Sequence, residues 1–338
     1  MTQPASTNSP RRPAASRQPR ASRAVAARAL AALRTPAEIA QLRAAGAVVR
    51  EALDAARAAC IIGATTADID AAAMRVIAAH GALPLFLNYP ASEADAPAFP
   101  ACTCVSVNEE IVHGIPGARV IRDGDLVSVD CGVKRGGWCS DSAITVPVGA
   151  VGAEGLALLD AAERMLATAI AMAKPGVRWS VIAEAMQKIA VAANHGCVVE
   201  YVGHGIGRSL HESPQVPNWL SRDLLRTGDF TLRAGMVLAI EPMLTLKTVG
   251  GAVGGVAGVD DDGFPIGVET RRLADGWTVV AADGSPAVHV EHTVAITSRG
   301  CEVLSILPAA DAALRGIDSE ILSGAVRGRS FSLPSLCG

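Results

Sequence analysis

The sequence predicts an α+β fold in which two helices are followed by antiparallel strands, and this order then repeats. Three observations carry that reading. The segments after Thr35 and after Thr65-Thr66 open with helix-capping signals. Alternating apolar stretches follow each pair of helical segments. Lys134-Arg135-Gly136-Gly137 joins two such stretches as a hairpin turn, which makes their neighbours antiparallel.

In order, Thr35-Pro36-Ala37-Glu38 supplies an N-cap, a proline in the first turn and a capping-box glutamate, so a helix runs to about Cys60. Gly63 breaks it. Thr65 or Thr66 caps a second helix, from Asp68 to about His80, and Gly81 ends it. Strands are expected at Cys102–Val107, Asp125–Val133 and Cys139–Val148. The pattern restarts near Val151 with a helix over Glu154–Ala173, a break at Pro175-Gly176 and a helix over Ser180–Ala193. Strands are then expected at Val198–Val202, Met236–Met243, Trp277–Ala281, Ala287–Ile296 and Glu302–Ile306. The halves share an order of elements and no sequence repeat, which is compatible with an internally duplicated domain.

Three regions follow from composition. Residues 1–34 form a basic extension: Arg11, Arg12, Arg17, Arg20, Arg23, Arg28 and Arg34 lie among Ser, Pro and Ala, and no acidic residue precedes Glu38. It reads as a disordered tail, with a docking arm for ribosomal RNA or an organelle transit peptide as sharper alternatives. Residues 35–306 form the folded domain, and residues 307–338 a loose C-terminal tail. A net charge of -3 argues against bulk electrostatic binding of nucleic acid or an anionic membrane. The cysteines form no CxxC pair and follow no secretory signal, so they read as reduced cytosolic thiols. No apolar run is long enough to span a membrane.

The chemistry-bearing residues are carboxylates and histidines at strand ends and glycine-rich edges. In Leu126-Val127-Ser128-Val129-Asp130-Cys131, Asp130 shares a face with Ser128, opposite Val127, Val129 and Cys131. With Arg135 and Gly136 at the hairpin tip, Asp130 faces Asp141 directly. Like charges so placed destabilise a sheet unless a divalent cation compensates, although a solvated pair at a hairpin end fits the same residues. In Gly203-His204-Gly205-Ile206-Gly207, the glycines around His204 imply close backbone approach or unusual dihedrals. His204 offers an imidazole ligand, and His211 a donor to a substrate carbonyl. Glu241 and Glu291 end or begin apolar strands, where an unpaired charge is costly. Either a metal or a salt bridge satisfies that demand. His113 sits at a strand-to-turn junction. Together, two Asp, one His and two Glu suit a pair of divalent ions such as Mn, Co, Fe or Zn.

SVNEEIVHGIP, GDLVSVDCGVKRGGWCSD, GHGIGRSLHESPQV, MVLAIEPM and VEHTVAIT occur in this order. Over roughly Ala37 to Ile306 the chain thereby resembles type I methionine aminopeptidases of peptidase family M24. The resemblance implies the pita-bread fold, a pseudo-twofold antiparallel sheet covered by helices. It implies a cytoplasmic hydrolase that removes the initiator methionine from nascent proteins when the second residue is small, by attack of water activated by two divalent ions. It makes Asp130, Asp141, His204, Glu241 and Glu291 the metal ligands, with Asp141 and Glu291 bridging and Glu241 also the general base. It puts His113 near the substrate amide or amine and His211 on the scissile carbonyl. The methionine pocket maps to Tyr89, Phe99, Cys104 and Trp277.

The sequence departs from that pattern in four places: a longer Pro90–Ala98 stretch, Leu210 where an aromatic is common, an extended Thr245–Leu273 segment with an Asp260-Asp261-Asp262 run, and the basic arm. The competing readings are a proline-specific peptidase of the same fold and a non-catalytic binding protein. The first carries a large N-terminal domain, for which the stretch before the first helix is too short. The second has lost ligands, and none is missing here. The subclass with a long helical insertion is excluded by the short interval between His204 and Glu241. Expected partners are peptides and nascent chains with an N-terminal Met, with the ribosome reached through the arm, no membrane, and a monomeric protein.

Overall fold

The computed structural model describes residues 31–91, 97–246 and 267–306. The expected disordered arm up to residue 30, the loose tail from 307, and most of the two extended segments lie outside the described residues. The compact unit begins at Ala31, upstream of the expected start at Thr35. Ala31 packs on the core and the Arg34 side chain is 11% exposed.

Helix α1 spans Pro36–Ala59 and α2 spans Thr66–Ala79. Each opens with a reciprocal capping box. The Thr35 hydroxyl accepts from the Glu38 N–H while the Glu38 carboxylate accepts from the Thr35 N–H, and Thr65 and Asp68 do the same for α2. Then come β1 (Leu83–Pro84), β2 (Thr103–Val107), β3 (Glu110–Val112), β4 (Leu126–Arg135) and β5 (Trp138–Pro147). The second half opens with α3 (Ala153–Met172) and α4 (Trp179–Ala192). It continues with β6 (Gly196–Cys197), β7 (Gly203–Gly205), β8 (Glu212–Val216), β9 (Val237–Ile240) and β10 (Met243–Thr245). It ends with β11 (Thr270–Arg272), β12 (Val279–Ala281), β13 (Ala287–His289), β14 (Glu291–Thr297) and β15 (Gly300–Val303).

A nine-stranded sheet runs β1-β4-β5-β14-β9-β7-β8, with β2 added beside β4 and β15 beside β14. Its pairings are antiparallel. Two three-stranded sheets, β13-β10-β6 and β11-β12-β3, flank it. Each helix pair covers one half of the large sheet. Val49 and Leu53 of α1 and Ile69 of α2 pack with Val127, Val129 and Cys131 of β4. Leu158 of α3 and Ile182 and Met186 of α4 pack with Leu238 of β9 and Val294 of β14. Leu53 is fully buried, so truncating it to Ala costs about 2–5 kcal/mol. This is the expected pseudo-twofold arrangement, a curled antiparallel sheet covered by helices.

The structure corrects three expectations. The hairpin tip is Gly136-Gly137, because Arg135 pairs with Trp138. Both glycines have positive φ, 57° and 80°, as a two-residue turn that follows the strand twist requires and as Arg135 would resist. Asp130 therefore faces Ala143, and Asp141 faces Gly132. The carboxylates share a face diagonally instead of directly. Second, no strand forms over Val198–Val202; Val198 donates to Met243 O, and the chain then leaves the sheet. Third, Met236–Met243 and Ala287–Ile296 each break in the middle. Pro242, with no N–H to give a ladder, separates β9 in the large sheet from β10 in a small one. Val290, whose N–H donates to Pro242 O at 3.3 Å, separates β13 from β14 at the matching place. Glu241 and Glu291 thus stand where the chain passes from one sheet to another.

Candidate functional site

The inner face of the large sheet gathers the expected residues by register. Cys104 on β2 pairs with Asp130 on β4, Asp130 with Ala143 on β5, and Ala143 with Glu291 on β14. One row across four strands therefore carries a thiol and two carboxylates, with an alanine leaving space between them. Asp141 lies two residues from Ala143 on the same face of β5. Its N–H donates to Thr293 Oγ1 (3.0 Å), and the Thr293 hydroxyl donates back to Asp141 O (2.7 Å), which ties β5 to β14 at this point. His204 on β7 pairs with Ala239 of β9. A Cβ at Gly203 or Gly205 would strike the backbone carbonyls of Ala239 or Ser213, so only glycine lets the neighbouring strands close around His204. Glu241 follows β9, and its carbonyl accepts from Asn218 Nδ2 at 2.9 Å.

All of the expected residues line one cavity of about 210 Å³: Tyr89, Phe99, Cys104, His113, Asp130, Asp141, His204, His211, Glu241, Trp277 and Glu291. Phe86, Tyr201, Val202 and Leu210 line it too. Of these, only Leu210 stood out in the sequence. Tyr201 lies 5.5 Å from His113, ring to ring and edge-on. Its place directly before the Gly203-His204 motif was a usable signal, obscured by reading that stretch as a strand. The sequence also passed over His289, which is 3% exposed and points Nε2 at Glu241 Oε2 across 3.7 Å. A single histidine inside an apolar strand gave no sign of this.

The charge balance of the site is unusual. Four carboxylates converge with no arginine or lysine among the lining residues. Burial, and then the neighbouring acids, push Asp130 and Glu291 well above the usual carboxylate range. Burial lifts Asp141 to about 7, with Glu241 adding to the effect, and lifts Glu241 itself to about 8. Burial lowers His204 to about 4 and His113 to about 4. His204 Nδ1 lies 2.9 Å from Gly205 O, which makes Nδ1 the donor and leaves the Nε2 lone pair facing the cavity. Nε2 is 3.6 Å from Glu241 Oε1.

These residues fit divalent metal. Asp130 Oδ1, Asp141 Oδ1 and Glu291 Oε1 are buried without a hydrogen-bond partner. Ligand atoms of Asp141, His204 and Glu291 lie within 4.8 Å of one another. Oxygen donors with one imidazole suit hard or borderline cations. Burial beside Asp130 and Asp141 holds the Cys104 thiol protonated, so it offers wall and no thiolate.

The rim is built differently. Tyr89 Oη lies 2.9 Å from His211 Nδ1, and the His211 and His204 rings are 4.4 Å apart. Trp277 Nε1 donates to Pro97 O at 2.8 Å, closing the end of the extended Pro90–Ala98 stretch, and its ring meets Phe99 edge-on at 5.2 Å. His113 adopts φ 60°, a left-handed conformation that is rare outside glycine and asparagine, and so turns its ring toward Tyr201 and Trp277.

The sequence profile described as metallopeptidase family M24 matches residues 40–298. A methionine aminopeptidase of Treponema pallidum is 39% identical over 273 residues, covering 81% of this chain and 95% of the relative. Methionine aminopeptidase 1 of Mycobacterium tuberculosis is 41% identical over 280 residues, covering 81% and 94%. The crystal structure of a methionine aminopeptidase from Thermotoga maritima superposes with a TM-score of 0.71 at 34% identity, over 82% of this chain and 100% of that one. A prolidase from Pyrococcus horikoshii reaches 0.59 at 19% identity over 82% of this chain and 65% of its own, a likeness of fold alone. The chain belongs to metallopeptidase family M24 and, within it, to the methionine aminopeptidases.

Proposed function

We propose that this protein removes the initiator methionine from peptides and nascent chains whose second residue is small, using two divalent ions. The observation that carries the reading is one cavity with an acidic floor and an apolar wall. Asp130, Asp141, His204, Glu241 and Glu291 would hold the ions. The ions, when bound, supply Lewis acidity and lower the pKa of water.

The chain's own side chains divide the remaining work. Phe86, Tyr89, Phe99, Cys104 and Trp277 supply a wall for the unbranched thioether side chain of methionine. Glu241 is the general base: its carboxylate faces His204 Nε2 at 3.6 Å and His289 Nε2 at 3.7 Å at the edge of the acidic floor, within reach of a water held there. His211 donates to the scissile carbonyl oxygen as charge grows on it. His113 stays neutral because burial disfavours its cation, and it holds the amide or amine of the first residue.

Manganese, cobalt, iron and zinc all suit this donor set. A cytoplasmic monomer that meets nascent chains at the ribosome through its basic arm completes the reading. No described helix is long and apolar enough to cross a membrane. A peptide assay tests the proposal: Met-Ala and Met-Val peptides against Xaa-Pro peptides, with each of the four metals. Release of Met from Met-Ala, abolished by chelation, is the expected result. Preferential cleavage of Xaa-Pro, or full turnover in chelator, would falsify it.

A further inference from the structure

The last residue of the basic segment does not behave like the rest of it. Arg34 donates its backbone N–H to Gly235 O (2.7 Å) and turns its guanidinium inward, where it pairs with the carboxylate of Glu212. The guanidinium carbon also lies 5.3 Å from the ring centroid of Trp138, beside the tip of the β4–β5 hairpin. Arg208 covers the same ring at 3.7 Å. A Cβ on Gly207 would run into the Arg34 guanidinium, so the glycine is what admits it.

Glu212 is the hub of the loop between β7 and β8. One of its oxygens, Oε1, accepts from the N–H of Arg208 (2.7 Å) and of Ser209 (3.1 Å), while Oε2 takes Arg34. The loop so held carries His211 next to Glu212 in the chain and presents it to Tyr89 and His204. Without Arg34, the Glu212 side chain, only 19% exposed, would be left without its cation. It would turn to water and release the two N–H groups. Lysine cannot replace the contact in full, because only a planar guanidinium stacks on Trp138 while meeting a carboxylate.

We propose that Arg34 is a positioning residue for His211, acting through Glu212 and the Gly207–Glu212 loop. The proposal rests on the role given to His211 above. A misplacement of about 1 Å at a catalytic group can cost on the order of 100-fold in rate. Partial release of the loop should therefore cost about tenfold in kcat, with a smaller rise in KM because the loop also carries Leu210 of the cavity lining while Phe86, Phe99, Cys104 and Trp277 stay in place.

The test is a mutant cycle on the full-length, metal-loaded protein with a Met-Ala peptide, recording kcat, KM and Tm for R34A, R34K, E212Q, H211A and the double variants. R34A and E212Q should each lower kcat about tenfold, R34K should recover part of the loss, and neither change should lower kcat further in the H211A background. Wild-type kcat in both R34A and E212Q would overturn the proposal. So would a loss that multiplies in full with H211A, which is what general destabilisation gives. If R34A does not fold, E212Q carries the cycle. Wild-type kcat in H211A would overturn the role of His211 itself and the proposal with it, whereas an impaired H211A beside an unimpaired R34A and E212Q rejects only the link.

Discussion

The floor and the rim of the cavity are held by different forces. On the floor, Asp130, Asp141, Glu291 and His204 stand on strands whose register fixes their spacing, and β4, β5 and β14 are backed by the helix pairs. On the rim, Tyr89, His113, His211 and Trp277 stand on connecting segments, each placed by one or two side-chain contacts. The sheet can hold four acids together because the backbone, and not the acids, bears the cost of the arrangement. The rim can vary without disturbing the floor, and Leu210 and the end of the Pro90–Ala98 stretch both lie there.

If this division is right, floor substitutions abolish activity and rim substitutions grade it. The largest effect is expected for Asp141→Ala: loss of divalent-metal uptake by titration calorimetry, and a fall in kcat/KM beyond the roughly 10–100-fold seen when an outer partner of a metal ligand is removed. Near-normal metal uptake by that variant would break the comparison. Next is Trp277→Ala, which removes the wall and the bond to Pro97 O; KM for a Met-Ala peptide should rise about tenfold or more, with metal stoichiometry unchanged. Tyr89→Phe should be milder. It removes one hydrogen bond to His211, of about 1 kcal/mol, or about fivefold in kcat.

Stability against pH separates the buried acids from the buried histidines without a substrate. In the metal-free protein Asp141 and Glu241 are pushed up, to about 7 and about 8, so the fold keeps protons that the unfolded chain releases near its ordinary carboxylate values. That contribution is present at low pH and is lost as pH rises through those values. His113, His204, His289 and His292 work oppositely. Each is lowered by burial to about 4, so their contribution is present above about 6.5 and is lost as pH falls. Between pH 6.5 and 8 only the carboxylates change, and the Tm of metal-free protein should fall. Added divalent ion should raise Tm more at pH 8 than at pH 6.5, because it binds the deprotonated acids. A flat metal-free profile over that range would show that the four acids do not share a buried site. The smallest effect is a control: Thr65→Ala removes a helix cap far from the cavity, for about 1 kcal/mol of stability and no change in kcat.

Much of this was legible in the sequence, and the limits have physical causes. The capping box at Thr35, the threonine cap before α2, the turn within Lys134–Gly137 and the alternation of β4 are local: each depends on residues within one turn or one strand. The shared face of Asp130 and Asp141 followed from parity along the hairpin, but their diagonal offset did not. It depends on which two residues adopt positive φ, and the glycine pair decided that against Arg135-Gly136. The breaks at Glu241-Pro242 and Val290 were hidden because an apolar run reads the same whether it stays in one sheet or crosses to another.

By itself, the sequence determined the α+β class, much of the order of elements and the five candidate donor side chains, because capping, alternation and ordered motifs are properties of neighbours in the chain. Only the tertiary structure decided the rest. It set Cys104, Asp130 and Glu291 in one row, pointed His289 at Glu241, brought Tyr201 against His113, and locked Arg34 onto the His211 loop. Each of these joins residues far apart in the chain, and sheet register and burial, not local propensity, set the distances between them.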